Sequence, residues 1–394
     1  MTACAHIIRT PVPPRKAGQR DVLGLTAPPM ETVRIAVVGL GGRGQEAVRR
    51  LSHVPGARIT VACDVKASAG PAPEGAVRLT DWQQACAHPE VDLVYICTDW
   101  SHHVPVALAA MGHGKHVAVE VPAAQELDQI WALVDKAEQT RCHCMMLENA
   151  VYDQFEQTAL AMARAGVFGE IVHVEGAYHH LFDFNREGWR LDYNRSHRGD
   201  LYPTHGLGPV CQVLGIHRED ALETLVSVDS AAFTGRRVTA DPAFANADQT
   251  TTLLKTRLGR TILLEHNIMT PRPYSRMYQI VGTQGYAAKY PVPQLLLRED
   301  GQEHLYEGAR LEALMAPYRQ RLLPPELEAT AREVDKHGGM DYVMDYRLVQ
   351  ALRFSAPLDM DVYDLAEWCS IAPLSRLSLE NGSAPVAVPD FTRR

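Results

Sequence analysis

The chain has 394 residues, 46% of them hydrophobic and 22% charged, which is enough for two packed domains with sizeable cores. A net charge of −8 and a pI near 6.1 argue against a general binder of nucleic acid or anionic membrane, because attraction to phosphate needs a basic surface. Small neutral molecules stay open as partners.

Residues 1–30 form an N-terminal extension. Its stretches HIIRTPVPPRKAG and LTAPPM break every apolar run with proline or charge, so no signal-peptide core or transmembrane span is read. The extension is a flexible tail, an arm on a neighbouring subunit, or an over-extended start. The eight cysteines (Cys4, Cys63, Cys86, Cys97, Cys142, Cys144, Cys211 and Cys369) are scattered and lack C-x-x-C spacing. They read as reduced core residues of a cytoplasmic protein.

The run VRIAVVGLGGRGQEAVRRL (33–51) passes from a β-branched strand through Gly39, Gly41, Gly42, Arg43 and Gly44 into a helical spacing of Ala47, Val48 and Leu51. Glycines here allow a tight turn and close approach to a pyrophosphate, and the helix N-terminus supplies N–H donors. A second strand, ARITVACD, ends in Asp64, whose carboxylate suits a ribose hydroxyl and favours NAD over NADP; Arg43 could partly offset that preference. Strands VDLVYICT, HVAVEVP and CHCMMLEN follow, alternating with helical segments. Ligands in such sheets bind at strand C-terminal ends. Thr98, Trp100, His103, Glu120 and Asn149 lie there and are expected to contact the cofactor, and Glu148 the substrate. Capping of the following helices is the competing role, most evenly balanced for Thr98 and Asp99.

After a helix around 153–166, the runs EIVHVEGAYHH, LETLVSVDSAAF, TTLLKTRL, RTILLEHNIM and MYQIVGTQGYAAKY are β-rich with few helices between them. The expected fold is therefore α/β: a Rossmann doubly wound parallel sheet over 31–150, then an α+β domain over 151–394 with a large, mostly antiparallel open sheet. One face of that sheet is expected to be covered and the other to support a homo-oligomer, dimer or tetramer.

This order of features resembles the Gfo/Idh/MocA superfamily of NAD(P)-dependent enzymes from about residue 31 onward. The Glu-Lys-Pro of most members is here Glu120-Val121-Pro122, which removes the lysine of ordinary sugar dehydrogenases. The closer resemblance is to glycoside hydrolase family 109, NAD-dependent glycosidases typified by α-N-acetylgalactosaminidase. It is carried by EVPAA, MMLEN, GAYHH, YPTHGLGP, PRPYSR, HGGMDY, PLDMDVYD and PDFTR, in that order. Two positions depart from the family pattern: His180-Leu181 replaces its His-Asp, and Asp200 replaces its asparagine.

The resemblance implies a small-molecule glycoside substrate and hydrolysis without a flanking carboxylate pair, NAD-dependent families being exceptions to that rule. NAD accepts hydride from the sugar C3, the ketone acidifies C2–H, the C1 substituent leaves, water adds at C1, and hydride returns to C3. His205 is the candidate for the C3 hydroxyl proton, since imidazole titrates near neutrality and this residue opens a helix. Tyr178 is the candidate for C2 proton transfer, with His180 assisting from the same strand face; His179 points the other way. Tyr202 and Trp189 are expected to form a sugar platform, and Arg190, Arg272 and Tyr274 to bind polar substituents. The competing roles are a structural histidine, packing aromatics and surface salt bridges. No metal site is expected. The alternative activity is a sugar or cyclitol dehydrogenase or epimerase acting at C3; a non-catalytic NAD-dependent sensor is the alternative from another class.

Overall fold

The structure is a computed structural model and describes residues 7–181, 186–299 and 301–394; Cys4 lies outside them. It divides into two compact units, the first comprising 13–152 and 321–366 and the second 7–12, 153–320 and 367–394. No helix among the described residues is long and apolar enough to cross a membrane.

In the first unit β1 (Val33–Val38), β2 (Ala57–Cys63), β3 (Val77–Leu79), β4 (Leu93–Ile96), β5 (His116–Val119) and β6 (Cys144–Met146) make one sheet. Its order is β3-β2-β1-β4-β5-β6 and every pairing is parallel. Every residue of β4 and β5 is buried, as expected of strands with helices on both faces. The crossovers are α1 (Gly42–Leu51), α2 (Trp82–Ala87), α3 (Trp100–Gly112) and α4 (Leu127–Thr140). The strand β3 is too short to show a periodicity in sequence.

The helix Met340–Arg353 also packs in this unit, although the sequence reading grouped 321–366 with the second domain. The reason is a buried charge. Arg50 on α1 is 1% exposed, its Nε donates to Asp345 Oδ2 at 2.8 Å, and the Tyr95 hydroxyl donates to Asp345 Oδ1 at 2.8 Å. A guanidinium taken out of water needs such a partner. The N-terminal extension is tied to its own chain: Arg15 pairs with Glu138 at 2.9 Å and Val22 N donates to Tyr363 Oη at 3.1 Å. In the second unit, Ile8 N donates to Pro385 O at 2.9 Å.

The second unit opens with α5 (Gln154–Arg164) and β7 (Ile171–His179). Two helices follow, α6 (Gly188–Ser196) and α7 (Thr204–Leu214). Then come β8 (Leu222–Asp229), β9 (Thr250–Thr256), β10 (Thr261–Asn267), β11 (Gln279–Gly282), β12 (Gly285–Ala288), β13 (Gln294–Glu299), β14 (Gln302–Tyr306) and β15 (Val386–Ala387). These nine strands form one sheet in the order β14-β13-β12-β11-β7-β10-β9-β8-β15, antiparallel except for β7 with β10. β9 alternates buried with more exposed positions, so the sheet has one covered and one open face.

The covered face receives α7 at very close range. A Cβ on Gly176 of β7 would meet Gly206 O at 2.2 Å, and one on Gly206 would meet Ala177 N at 2.4 Å. Two missing side chains let helix and strand touch backbone to backbone. Gly206 therefore serves packing inside the helix.

Among the described cysteines none forms a disulfide, and six of the seven are buried. Burial pushes the Cys63 thiol up to about 11 and the Cys86 thiol to about 12, so these thiols stay protonated at neutral pH.

Candidate active site

The Gly-rich turn of the first unit fits a dinucleotide. Gly39 takes φ +92°, and a Cβ there would strike Cys97 C and O at 2.6 Å; a Cβ on Gly44 would meet Gly39 O at 1.9 Å. These two glycines are dictated by the fold. Around Gly41 and Gly42, by contrast, nothing lies within 4 Å of an added Cβ, so this is open space above a helix N-terminus whose cap has no side-chain acceptor. Open backbone N–H groups at that place suit a pyrophosphate. Asp64 ends the adjacent strand, its Oδ2 accepting from Leu40 N at 2.7 Å and its Oδ1 from Lys66 N at 2.8 Å. The carboxylate is thus fixed at the turn, with lone pairs remaining for ribose hydroxyls.

The other expected cofactor residues divide in two. Arg43 turns to carboxylates: Nη2 lies 2.8 Å from Glu120 Oε1, and Nη1 3.2 Å from Glu46 and 3.0 Å from Asp341. It is neutralised by its own chain, which weakens the idea that it offsets Asp64. Asn149 Nδ2 donates to Asp341 Oδ1, and His337 Nδ1 lies 2.9 Å from Asp341 Oδ2. Asp341 is the hub of this group, and the sequence reading missed it. Burial works against its charge, but the His337 hydrogen bond and the charges of Arg43 and Arg50 outweigh burial and hold its carboxyl well below the usual range.

The second set bonds within the fold. His103 is fully buried, with Nδ1 3.0 Å from Pro122 O and Nε2 3.1 Å from Thr98 O. Thr98 Oγ1 donates to Asp99 O, Asp99 caps α3 through Ser101 N, and Trp100 opens that helix. Glu148 is buried and accepts from Ala150 N at 3.2 Å. Asp335, His337 and Asp341 bring ligand atoms within 4.8 Å of one another. Asp335 already accepts from Asp341 N and Asp341 from its cations, so a metal would have to displace those bonds.

In the second unit the predicted proton-transfer residues come together. Tyr178 Oη and His180 Nδ1 are 2.7 Å apart. The Tyr178 ring stacks on Tyr202 at 4.6 Å and 26°, and His205 sits edge-on to both, 5.2 Å from Tyr178 and 5.1 Å from Tyr202. The Gly176–Gly206 contact causes this, since Tyr178 lies two residues beyond one glycine and His205 one residue before the other. Behind Tyr178 pack Ala232, Phe244, Ile268 and Met269. Tyr274 completes the group, its ring 4.8 Å from His180 and T-shaped to it. His179 points to the opposite face, Nε2 3.0 Å from Glu265 Oε2.

Trp189 and Arg190 lie on α6 with the Arg190 guanidinium 4.4 Å above the indole, and the helix meets the Tyr178 cluster through Leu191. Arg272 forms an exposed ion pair with Glu265 at 3.2 Å. Asp200 is 1% exposed: Oδ1 accepts from Tyr202 N at 3.2 Å, while Oδ2 has no hydrogen-bond partner among the described residues. Burial pushes its carboxyl up to about 7. A neutral acid there is isosteric with the amide of the family's asparagine.

An open glycine turn with a carboxylate ending the next strand in one unit, and a histidine–tyrosine cluster on an open-faced sheet in the other, fit an NAD-using enzyme of the Gfo/Idh/MocA kind. Residues 33–148 match the family model described as oxidoreductase family, NAD-binding Rossmann fold, and residues 152–394 match glycosyl hydrolase 109, C-terminal domain. Glycosyl hydrolase family 109 protein 1 of Bacteroides fragilis is 51% identical over 98% of this chain and 91% of its own. The Porphyromonas gingivalis protein of that family is 50% identical over 98% and 90%. A solved levoglucosan dehydrogenase shares the fold, with TM-score 0.74 and 18% identity over 92% of this chain and 100% of its own. The chain belongs to glycosyl hydrolase family 109: it is a glycoside hydrolase that uses NAD.

Proposed function

We propose that the protein hydrolyses an N-acetylgalactosaminide or a related glycoside through transient oxidation at C3 and elimination across C1 and C2. The observation that carries this reading is the 2.7 Å bond between Tyr178 and His180 within a shell formed by Tyr202 and His205. NAD, when bound, supplies reversible hydride acceptance at the sugar, so none is consumed. His205 takes the proton of the C3 hydroxyl as general base. Tyr178 takes the C2 proton, with His180 accepting from or donating to the phenol oxygen as that proton moves. The C1 substituent leaves, water adds at C1, and the same pair reprotonates C2. Tyr202 offers an aromatic face to the sugar ring. The solved relative crystallised with NADH and L-sorbose supports a sugar-sized ligand for this fold.

The same reading includes a cytoplasmic homo-oligomer. Val228 and Leu253 are 58% and 56% exposed on the open face of the sheet, where a second copy would cover them. Leu253→Glu should lower the mass measured by light scattering; an unchanged mass counts against this face.

The function is tested with α- and β-nitrophenyl glycosides, N-acetylated amino sugars included, in deuterated water. Release of nitrophenol with no build-up of NADH and with deuterium at C2 supports the proposal. Stoichiometric NADH without nitrophenol would instead establish the dehydrogenase, and product lacking deuterium would sink the elimination route.

A further inference from the structure

A charge assembly lies against the ring cluster and takes no part in the proton transfers above. From α5 come Asp153, the N-cap residue, and Glu156, which is 2% exposed; from the loop between β10 and β11 comes Arg276, 3% exposed. Arg276 donates from Nε to Glu156 Oε1 at 3.1 Å and from Nη2 to Glu156 Oε1 at 2.8 Å and Asp153 Oδ2 at 3.2 Å. Lys289 Nζ closes the assembly, 2.5 Å from Asp153 Oδ2. Burial pushes the Glu156 carboxyl up against the pull of Arg276 and Lys289.

The backbone beside Arg276 is held in an unfavourable shape. Met277 and Tyr278 are consecutive non-glycine residues in the left-handed region, at φ 55° and 50°. The kink persists because both of its flanks return to one turn of α5: Arg276 through its side chain, and Tyr278 through a hydroxyl that donates to Glu156 O at 3.0 Å. Neutralising a buried arginine requires only the carboxylates. The remaining edge of this guanidinium reaches the site, since Nη1 donates to the phenol oxygen of Tyr274 at 2.8 Å. Tyr274 is 42% exposed and stands edge-on to His180.

A guanidinium has five donors and no acceptor. Its bond to the Tyr274 oxygen therefore directs the proton of Tyr274 away from Arg276. We propose that Arg276 is a positioning residue: clamped by Glu156 and Asp153, it fixes Tyr274 beside His180 as a hydrogen-bond donor to an acceptor oxygen of the bound glycoside. This rests on sugar binding at the ring cluster.

The test is a double-mutant cycle of Tyr274→Phe and Arg276→Lys, read on hydrolysis of an active nitrophenyl glycoside and on the His180 imidazole resonances of the unliganded protein. Tyr274→Phe should cost about tenfold to a hundredfold in kcat/KM, the range of a hydrogen bond to a polar substrate group, with its melting temperature kept. Arg276→Lys should cost as much alone and less than about twofold when added to Tyr274→Phe. It should shift the His180 resonances only while Tyr274 is present. Lys289→Met, which loses a charge of the assembly but no bond to Tyr274, should melt earlier with KM unchanged.

Multiplicative losses, or unmoved His180 resonances, overturn the proposal. An unaltered kcat/KM in Tyr274→Phe does so whether or not Arg276→Lys folds. Resonance coupling with no glycoside turned over would leave the positioning in place and remove the glycosidase reading; hydrolysis with a multiplicative cycle would do the reverse.

Discussion

The hydroxyl of Tyr178 and the Nδ1 of His180 share one hydrogen bond of 2.7 Å, although the two residues are separated by His179, which faces the other side of the sheet. Strand alternation makes this pair possible, and α7 seats His205 over it. Tyr178→Phe keeps the ring that stacks on Tyr202 and loses only the proton-bearing oxygen. The expected result is a fall in kcat of about 10²- to 10⁴-fold, the usual range for a general acid or base, with melting temperature within a few degrees of the parent. Kinetics on a nitrophenyl glycoside together with deuterium uptake at C2 check this; a variant that still exchanges C2 at the parent rate removes Tyr178 from the reaction.

The glycine turn predicts a contrast between neighbours. Gly44→Ala drives a methyl into the Gly39 carbonyl and should cost folding stability outright. Gly41→Ala meets nothing in the protein and should leave the apo protein's melting temperature unchanged. It should nonetheless weaken NAD, because the methyl occupies space a pyrophosphate needs. Calorimetric titration with NAD alongside thermal melts distinguishes the two, and equal NAD affinity in Gly41→Ala and parent would refute the cradle.

Asp200 predicts a pH dependence of stability. Its carboxyl is raised from 3.8 to about 7 in the folded protein, so the folded chain keeps a proton that the unfolded chain releases between these values. Stability therefore falls as pH rises through that window, and the full cost, on the order of 4 kcal/mol, is present above pH 7. Asp200→Asn removes it. The variant should melt higher than the parent at pH 8, with the gain shrinking toward pH 4; a gain independent of pH would show that Asp200 titrates normally.

The Arg50–Asp345 pair predicts an asymmetry. Asp345→Ala takes the nearer of two carboxylates from a buried guanidinium, leaving Asp341 at 3.4 Å, and should cost about 3 kcal/mol. Replacing both members, as Arg50→Met with Asp345→Leu, should cost less, since Asp341 keeps Arg43 at 3.0 Å and no buried cation is left without its carboxylate. Denaturant unfolding of the three proteins measures this, and equal losses in the single and double variants would contradict it.

The sequence disclosed the Rossmann sheet because its strands are continuous apolar runs next to a glycine pattern whose geometry is demanding. The second sheet was legible as a series of β-rich runs with few helices between them, and the shared face of Tyr178 and His180 through a strand's period of two. The charged hubs were not legible. Asp341 and Arg276 lie within HGGMDY and PRPYSR, blocks that carry the family resemblance, and Asp345 follows soon after, but only the fold supplies the buried cation or phenol that gives each a role. His103 stands at a strand end where ligands bind, and in the fold its two nitrogens lie 3.0 and 3.1 Å from backbone carbonyls, which no local pattern announces. The Gly176–Gly206 contact has no signature in the sequence, because two glycines thirty residues apart meet only when strand and helix are laid together.

The distance along the chain between Arg50 and Asp345 has a bearing on how the protein is made. A ribosome delivers α1 and the sheet long before residue 345, and throughout that interval Arg50 lacks the carboxylate that its burial demands. The nucleotide fold thus cannot close as an early, self-sufficient piece. It waits for the last fifth of the polypeptide, and a fragment ending near residue 150 should emerge with an open flank over α1 in place of a finished cofactor domain.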